Sequence, residues 1–236
     1  MYVQCLADFF NLHLWPSGRD PNYADIRDGL SELTDAALAA TEGTQPVTEL
    51  TVRLYGGWYE YHLGLRVLVR DLTKEVIRTF PGRFGRTRVR VELADSPVWN
   101  PSLLLLRTVR EVAIRVDPGK FAIPTLCLRG GACSFEQFHH WWNGRCPESN
   151  CMVRLRDTGT TKRQKMVDTL LAVDATELAR AGDTDAVVVA SDDDDMIPVL
   201  LAVCSHVMTI RLVRDPSPDA YYDEMLSDLG VTTHVW

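Results

Sequence analysis

A short, wholly apolar run near the carboxyl end of the chain constrains the fold more than any other feature. Residues Ala186 to Ala190 carry apolar side chains in unbroken succession. Successive side chains of a strand point to opposite faces, so such a run indicates a strand that is buried on both faces of a parallel sheet. Helices must then cover both faces of that sheet, which predicts an α/β fold.

The segments around this run alternate between the periodicities of helices and strands. Apolar residues at helical spacing predict helices over 23–40, 61–79, 166–181, 195–205 and 219–229. Alternating or β-branched segments predict strands over 2–7, 48–55, 86–93, 186–190, 207–213 and 232–235. This alternation predicts a single domain over residues 1–236 with a mostly parallel central sheet.

Residues from about 95 to 160 break the alternation with five prolines, a Gly130-Gly131 pair and four of the six cysteines. Short strands over 109–116, 121–128 and 152–155 are the only regular elements that we expect there. The sequence therefore predicts an irregular, cysteine-containing insertion within the domain.

Composition narrows the class of protein. With 236 residues, 46% hydrophobic and 24% charged, the chain can bury a large core without disulfides. Its longest apolar run, Leu103 to Leu106, is too short to cross a bilayer. No basic segment precedes Asp8, as it would in a signal peptide. We expect a cytoplasmic protein with no membrane partner, and the net charge of −7 does not by itself indicate nucleic-acid binding.

Two groups of carboxylates directly follow predicted strands. Asp8 follows the first strand, and the run Asp192–Asp195 follows the strand over 186–190. Functional sites of open parallel sheets lie outside the carboxyl ends of the strands, so we expect both groups at one edge. One aspartate there is explained as a helix cap. Four adjacent carboxylates repel one another unless a cation or hydrogen bonds offset them.

A further carboxylate, Asp168, lies near the start of the helix over 166–181. On its own it is explained equally well as an acidic residue in the first turn of a helix. Asp174 follows six residues later, which places it on a different face of the helix. We therefore do not expect both residues in one metal site.

Three motifs carry a family resemblance. The stretch Lys165-Met-Val-Asp168, then the apolar strand, then Ser191-Asp-Asp193-Asp-Asp195-Met-Ile-Pro198, resembles the NYN nucleases of the PIN-like superfamily. Asp8-Phe-Phe-Asn11-Leu is similar to that family's first-strand Asp-x-x-Asn-Leu, and Arg53-Leu-Tyr-Gly-Gly-Trp to its second strand. The resemblance covers residues 1–80 and 160–215. It implies a PIN-like (Rossmannoid) three-layer sandwich.

The resemblance also implies an activity, that of a metal-dependent (endo)ribonuclease, with RNA as the partner. Mg²⁺ or Mn²⁺ would be held by four catalytic carboxylates, namely Asp8, Asp168, Asp193 and Asp195. Asn11 and Ser191 would support these ligands. Both ions prefer oxygen ligands, and a carboxylate-held pair can activate water and stabilise a leaving oxygen in phosphodiester hydrolysis. DNA as substrate and the oligomeric state stay open.

Two positions depart from the family pattern. Asp192 stands where the family has glycine, whose backbone freedom that position could require. Asp194 replaces a serine and adds a negative charge beside the presumed metal ligands. These departures motivate an alternative function: a catalytically weak or inactive PIN-like module that binds nucleic acid or a protein partner.

Five basic residues precede Asp168 in the sequence, namely Arg154, Arg156, Lys162, Arg163 and Lys165. They are candidates for binding the phosphates of a nucleic acid, and a solvated loop is the alternative. A second basic stretch, Arg86, Arg88 and Arg90, alternates along a predicted strand and should share its solvent face.

The insertion contains four cysteines at C-x5-C-x12-C-x4-C spacing, namely Cys127, Cys133, Cys146 and Cys151. Four thiolates, or three with His139 or His140, suit tetrahedral Zn²⁺. The spacing is looser than in the usual zinc knuckle, so free buried cysteines are the alternative to a structural zinc site.

Overall fold

The computed structural model describes residues 1–12, 14, 21–43, 45–59, 68–105, 108–113, 141, 160–164, 166–214 and 221–236. Its strands are β1 (Tyr2–Asp8), β2 (Glu49–Tyr55), β3 (Arg83–Phe84), β4 (Thr87–Leu93), β5 (Val109–Ala113), β6 (Thr160–Gln164), β7 (Ala186–Ala190), β8 (Met208–Val213) and β9 (Thr232–Val235). Its α-helices are α1 (Tyr23–Ala40), α2 (Leu68–Thr79), α3 (Val167–Ala181), α4 (Ile197–Val203) and α5 (Tyr221–Asp228).

The chain divides into two compact units. The first comprises Met1–Val109 and Gln164–Trp236, and the second is Arg110–Arg163. Strands β5 and β6 pair with each other in a two-stranded sheet.

Seven strands of the first unit form one sheet in the order β3-β4-β2-β1-β7-β8-β9. Each neighbouring pair is parallel except β3 and β4, which form an antiparallel hairpin. From β1 the chain passes through α1 to β2 on one side, whereas β8 and β9 follow β7 on the other side. The strand order therefore reverses between β1 and β7, which is the position where open α/β sheets bind their ligands.

Helices cover both faces of the sheet. Ile26, Leu30 and Leu33 of α1 belong to one buried cluster with the odd-numbered side chains of β1. Leu171 of α3 and Leu200 of α4 belong to a second cluster, on the opposite face. The predicted α/β fold with a mostly parallel sheet is confirmed, as is the burial of all five residues of β7.

Most element predictions agree with the structure to within a few residues, and the differences have local causes. The predicted helix over 195–205 consists of a 3₁₀ turn, Asp194–Met196, followed by α4. Pro198 lies in the first turn of α4, where its missing N–H is tolerated. Gly85, with φ of 57°, forms the turn of the β3–β4 hairpin, so β4 begins at Thr87 and Arg86 lies in the turn.

Some predicted elements lie partly or wholly outside the described residues. Only 68–79 of the helix predicted over 61–79 is described, and the strands predicted over 121–128 and 152–155 lie outside the described residues. Strands β3 and β6 were not predicted. Across the described ranges, no helix is both long and apolar enough to cross a membrane.

Candidate active site

The two central strands bring Asp8 and Ser191 to the same edge of the sheet. Ala7 at the end of β1 pairs with Ala190 at the end of β7, so Asp8 and Ser191 are the next residues along each strand. Both side chains are almost fully buried, with 6% and 2% of their surface exposed. A carboxylate and a hydroxyl thus lie beneath the surface at the point where the strand order reverses.

Asn11 links the segments that follow these two strands. Its backbone N–H donates to Oδ1 of Asp8 at 3.3 Å, and its side-chain Oδ1 accepts from the backbone N–H of Asp192 at 3.0 Å. One residue therefore orients the Asp8 carboxylate and fixes the loop that carries the acidic run. The supporting role that the resemblance implies for Asn11 stays a prediction.

Hydrogen bonds within the acidic run fix the position of Asp193. The Ser191 hydroxyl accepts from the backbone N–H of Asp193 at 3.2 Å. Oδ1 of Asp193 accepts from the backbone N–H of Asp195 at 2.9 Å and so caps the 3₁₀ turn. This is the cap expected from the sequence.

The two departures from the family pattern both have partners on the β8 side of the site. Oδ1 of Asp192 accepts from the backbone N–H of Arg214 at 2.7 Å. Oδ1 of Asp194 accepts from Nη2 of Arg211 at 2.7 Å, and this arginine, which is 4% exposed, also bonds Asp223 at 3.1 Å. Together with the cap at Asp193, hydrogen bonds therefore offset three of the four adjacent charges.

The backbone at Asp192 does not require glycine. In the part of the chain that the structure describes, Met166, with φ of 66°, is the only non-glycine residue in the left-handed region. The expectation that glycine's freedom could be needed at Asp192 is therefore wrong. Instead, backbone strain lies at Met166, which directly precedes α3 and is two residues from Asp168.

Electrostatic coupling joins the four candidate carboxylates. Burial, followed by the charges of Asp168 and Asp193, raises the pKa of Asp8 from 3.8 to about 6, against the lowering effect of the Asn11 N–H. Partial desolvation, followed by the charges of Asp193 and Asp195, raises the pKa of Asp168. Helix α3 packs against β1, β7 and the 3₁₀ turn, which explains why its first-turn carboxylate is coupled to the others.

Asp174 belongs to a separate, fully buried network. Its Oδ2 accepts from Nε of Arg53 at 3.2 Å and from the Tyr55 hydroxyl at 2.8 Å, and its Oδ1 accepts from the N–H of Val98 at 2.9 Å. Arg53 also bonds Glu92 and the carbonyl of Ser96. The expectation that Asp174 and Asp168 do not share a site is consistent with this separation. This network was not predicted from the sequence. Arg53, a charged residue within an apolar strand segment, was the signal that a buried carboxylate partner exists.

The remaining sequence candidates cannot be placed in the site. Arg154, Arg156 and Lys165 lie outside the described residues, as do the four cysteines Cys127, Cys133, Cys146 and Cys151. Lys162 and Arg163 lie in β6, for which the backbone alone is described. Phosphate gripping by these residues and the zinc site stay predictions.

The candidate carboxylates suit a hard divalent cation by their chemistry. The charges of neighbouring carboxylates contribute to the raised pKa values of Asp8 and Asp168, and a bound cation would relieve that repulsion. Among the residues whose side chains are described, no three metal-ligating groups converge on one point. Binding therefore requires side-chain rotation, for which the exposed Asp168 and Asp195 have room.

Comparisons with protein-family models, with curated proteins and with solved structures found no match to this chain. Fold and site together define the chain as a doubly wound α/β protein with a cluster of carboxylates at its topological switch point.

Proposed function

We propose that this chain is a divalent-metal-dependent nuclease of the NYN type within the PIN-like superfamily, and that it hydrolyses RNA. The supporting observation is the electrostatic coupling of Asp8, Asp168, Asp193 and Asp195 at the switch point of the sheet. These are the positions to which the sequence resemblance assigns metal binding. Asp8 ends β1, Asp193 and Asp195 follow β7, and Asp168 lies in the first turn of α3, all within one compact unit.

The chain's own residues would supply two held carboxylates, Asp8 and Asp193, and two adjustable ones. Asn11 and the backbone hold Asp8 in place, and the Ser191 hydroxyl holds the loop of Asp193. Asp168 and Asp195 would turn inward to complete the ligand set. When bound there, Mg²⁺ or Mn²⁺ supplies a water of lowered pKa and stabilises charge on the phosphodiester and the leaving oxygen.

Protonation of Asp8 sets a pH limit on this arrangement. With a pKa of about 6, its carboxyl is substantially protonated in mildly acidic solution and ionised at pH 7.5. A metal ligand must be deprotonated, so cation binding releases this proton. Cleavage should therefore fall as the pH is lowered through 6.

A catalytically inactive nucleic-acid-binding module is the second candidate. The observation that favours it is the lack of three converging ligands in the described side chains. The two sequence departures no longer support it, because Asp192 and Asp194 have structural partners around β8.

The test is cleavage of labelled RNA, with DNA of the same sequence, in Mn²⁺, Mg²⁺ or EDTA. Asp193→Asn should lower the cleavage rate by at least about 100-fold, as expected when a group that stabilises transition-state charge is removed. Asp192→Asn, one residue away, is the matched control. Its amide oxygen can still accept from Arg214, so its rate should stay near that of the wild type. Metal-independent cleavage, or equal rates in both variants, would contradict the proposal.

A further inference from the structure

The outer strands of the sheet carry exposed arginines on one face. Along β4, Val89 and Val91 are buried, whereas Arg88 and Arg90 between and beside them are exposed. Arg83 of β3 pairs directly with Arg88 across the hairpin, so both side chains project from the same face of the sheet. We call Arg83, Arg88 and Arg90 the arginine face.

This arrangement costs stability in the isolated protein. Like charges directly opposite each other in an antiparallel pair repel, and Arg83 and Arg88 are such a pair. Within the described ranges neither forms an ion pair, although Glu49 of β2 is in register with Arg88. Arg90 shares Glu92 with the buried Arg53. Glu49 and Glu92 offset only part of the positive charge of these three arginines, and a polyanionic ligand would neutralise the remainder.

The arginine face lies on the same side of the sheet as the candidate active site. Arg90 is in register with Thr51 and, through it, with Gln4 of β1, four residues before Asp8. At about 3.3 Å per residue and 4.8 Å per strand, Arg90 and Asp8 are roughly 16 Å apart along the sheet. Gln4 and Thr51, which lie between the two sites, are buried, so a nucleic-acid strand that reaches both sites must pass over the elements that cover the sheet there, a path of several nucleotides.

An exposed aromatic side chain follows a segment that packs over the same face of the sheet. The segment after β4 packs on it through the carbonyl of Ser96, which accepts from Arg53, and the N–H of Val98, which bonds Asp174. The next residue, Trp99, is 59% exposed. Arginines with an exposed aromatic ring are the combination with which proteins bind single strands, since the ring stacks on a base.

We propose that the arginine face and Trp99 bind the backbone and a base of a single-stranded RNA whose scissile phosphate lies at the carboxylates. The choice of RNA rests on the proposed function, whereas the surface itself is argued from its own charges. It would give a protein of net charge −7 a local region that attracts a polyanion.

The test is binding of labelled single-stranded RNA by fluorescence anisotropy in EDTA, across a range of salt concentrations. The triple variant Arg83→Gln, Arg88→Gln, Arg90→Gln should bind about tenfold or more weakly, and the slope of log K against log salt should fall by about 2. The matched control replaces Arg27, Arg78 and Arg180, which are exposed on the helices, with the same change in net charge. It should bind within about twofold of the wild type, because the inference assigns binding to the arginine face and not to the net charge, which changes equally in both variants.

Trp99→Ala should weaken binding without changing the salt slope, because stacking releases no counterions. A fold defect is tested by urea unfolding, in which the arginine-face variant should be at least as stable as the wild type, because it removes repulsion.

The outcomes separate this inference from the proposed function. Equal binding by the arginine-face and control variants would overturn the inference, even if the wild type cleaves RNA. Failure of the wild type to bind RNA, or equal binding of DNA, would overturn it as well. Binding that depends on the arginine face, without metal-dependent cleavage, would support the surface and contradict the nuclease.

Discussion

Asp8 is the residue on which stabilising and destabilising electrostatic interactions act most directly. Its side chain is 6% exposed and lies beside other carboxylates, both of which disfavour the ionised form. The N–H of Asn11 donates to it and partly compensates. A buried, coupled carboxylate at a ligand-binding edge of a sheet is a feature of functional sites, where stability is given up for chemistry.

The raised pKa of Asp8 predicts how the stability of the protein depends on pH. Because the pKa of Asp8 is about 6 in the folded protein, above its value of 3.8 when exposed, the folded state binds the proton more tightly. The free energy of unfolding should therefore fall as the pH rises from about 4 to above 6, by up to roughly 3 kcal/mol. Asp8→Asn should lessen this fall, leaving the contributions of Asp168 and Asp174, and should be the more stable protein at pH 7.5.

Urea unfolding without divalent ions, at pH values on both sides of 6, measures this effect. Asp28→Asn, at an exposed residue of α1, is the control and should keep the wild-type profile. An Asp8→Asn variant that is less stable than the wild type at pH 7.5 would show that Asp8 is a structural residue.

At the scale of single elements, α3 carries two carboxylates with different tasks. Asp168 in its first turn is exposed and faces the acidic site, whereas Asp174 is fully buried among donors from β2 and the segment after β4. The buried network holds the helix against the sheet. It thereby sets where the helix begins and where Asp168 lies.

Removing each carboxylate should distinguish these tasks. Asp174→Ala leaves Arg53 without its buried partner and should lower the free energy of unfolding by about 3 kcal/mol. Asp168→Ala removes a repelled carboxylate and should leave stability unchanged or slightly raised, while abolishing metal-dependent cleavage. Chemical denaturation followed by circular dichroism compares the two. A comparable loss of stability in Asp168→Ala would mean that Asp168 is also structural.

The sequence predicted those elements whose signal is local. Ala186–Ala190 is apolar throughout and α1 has helical periodicity, so both were correctly assigned. Contacts between distant residues leave no such signal. The pairing of Asp194 with Arg211, and of Asp174 with Arg53, depends on strand order, which periodicity does not determine.

The same division holds for the candidate site. The carboxylates could be placed at one edge because parallel strands end together, and Asp8 and Ser191 do so. The partners of Asp192 and Asp194 could not be foreseen, since they come from the far side of the site around β8. The arginine face was predicted only as a solvent-facing strand, because β3 is two residues long and gave no strand pattern.

Across the whole molecule, acidic and basic side chains gather at different places on the sheet, which the net charge does not show. The net charge of −7 includes an acidic cluster at the switch point and an arginine face on the outer strands of the same sheet. A cation at the first and a polyanion at the second would each offset repulsion that folding leaves in place. The two surfaces together suit an enzyme that brings a divalent cation to a nucleic-acid strand.

The proposed nuclease function depends on one claim, that a single divalent-cation site is formed by Asp8, Asp168, Asp193 and Asp195. Isothermal titration of Mn²⁺ into the protein at pH 7.5 tests it most directly, with Asp8→Asn, Asp168→Asn and the control Asp192→Asn. We expect saturable binding by the wild type and Asp192→Asn, release of protons as the pH is lowered towards 6, and binding at least about tenfold weaker in the other two variants. No saturable binding by the wild type, or equal binding by all four proteins, would contradict the claim.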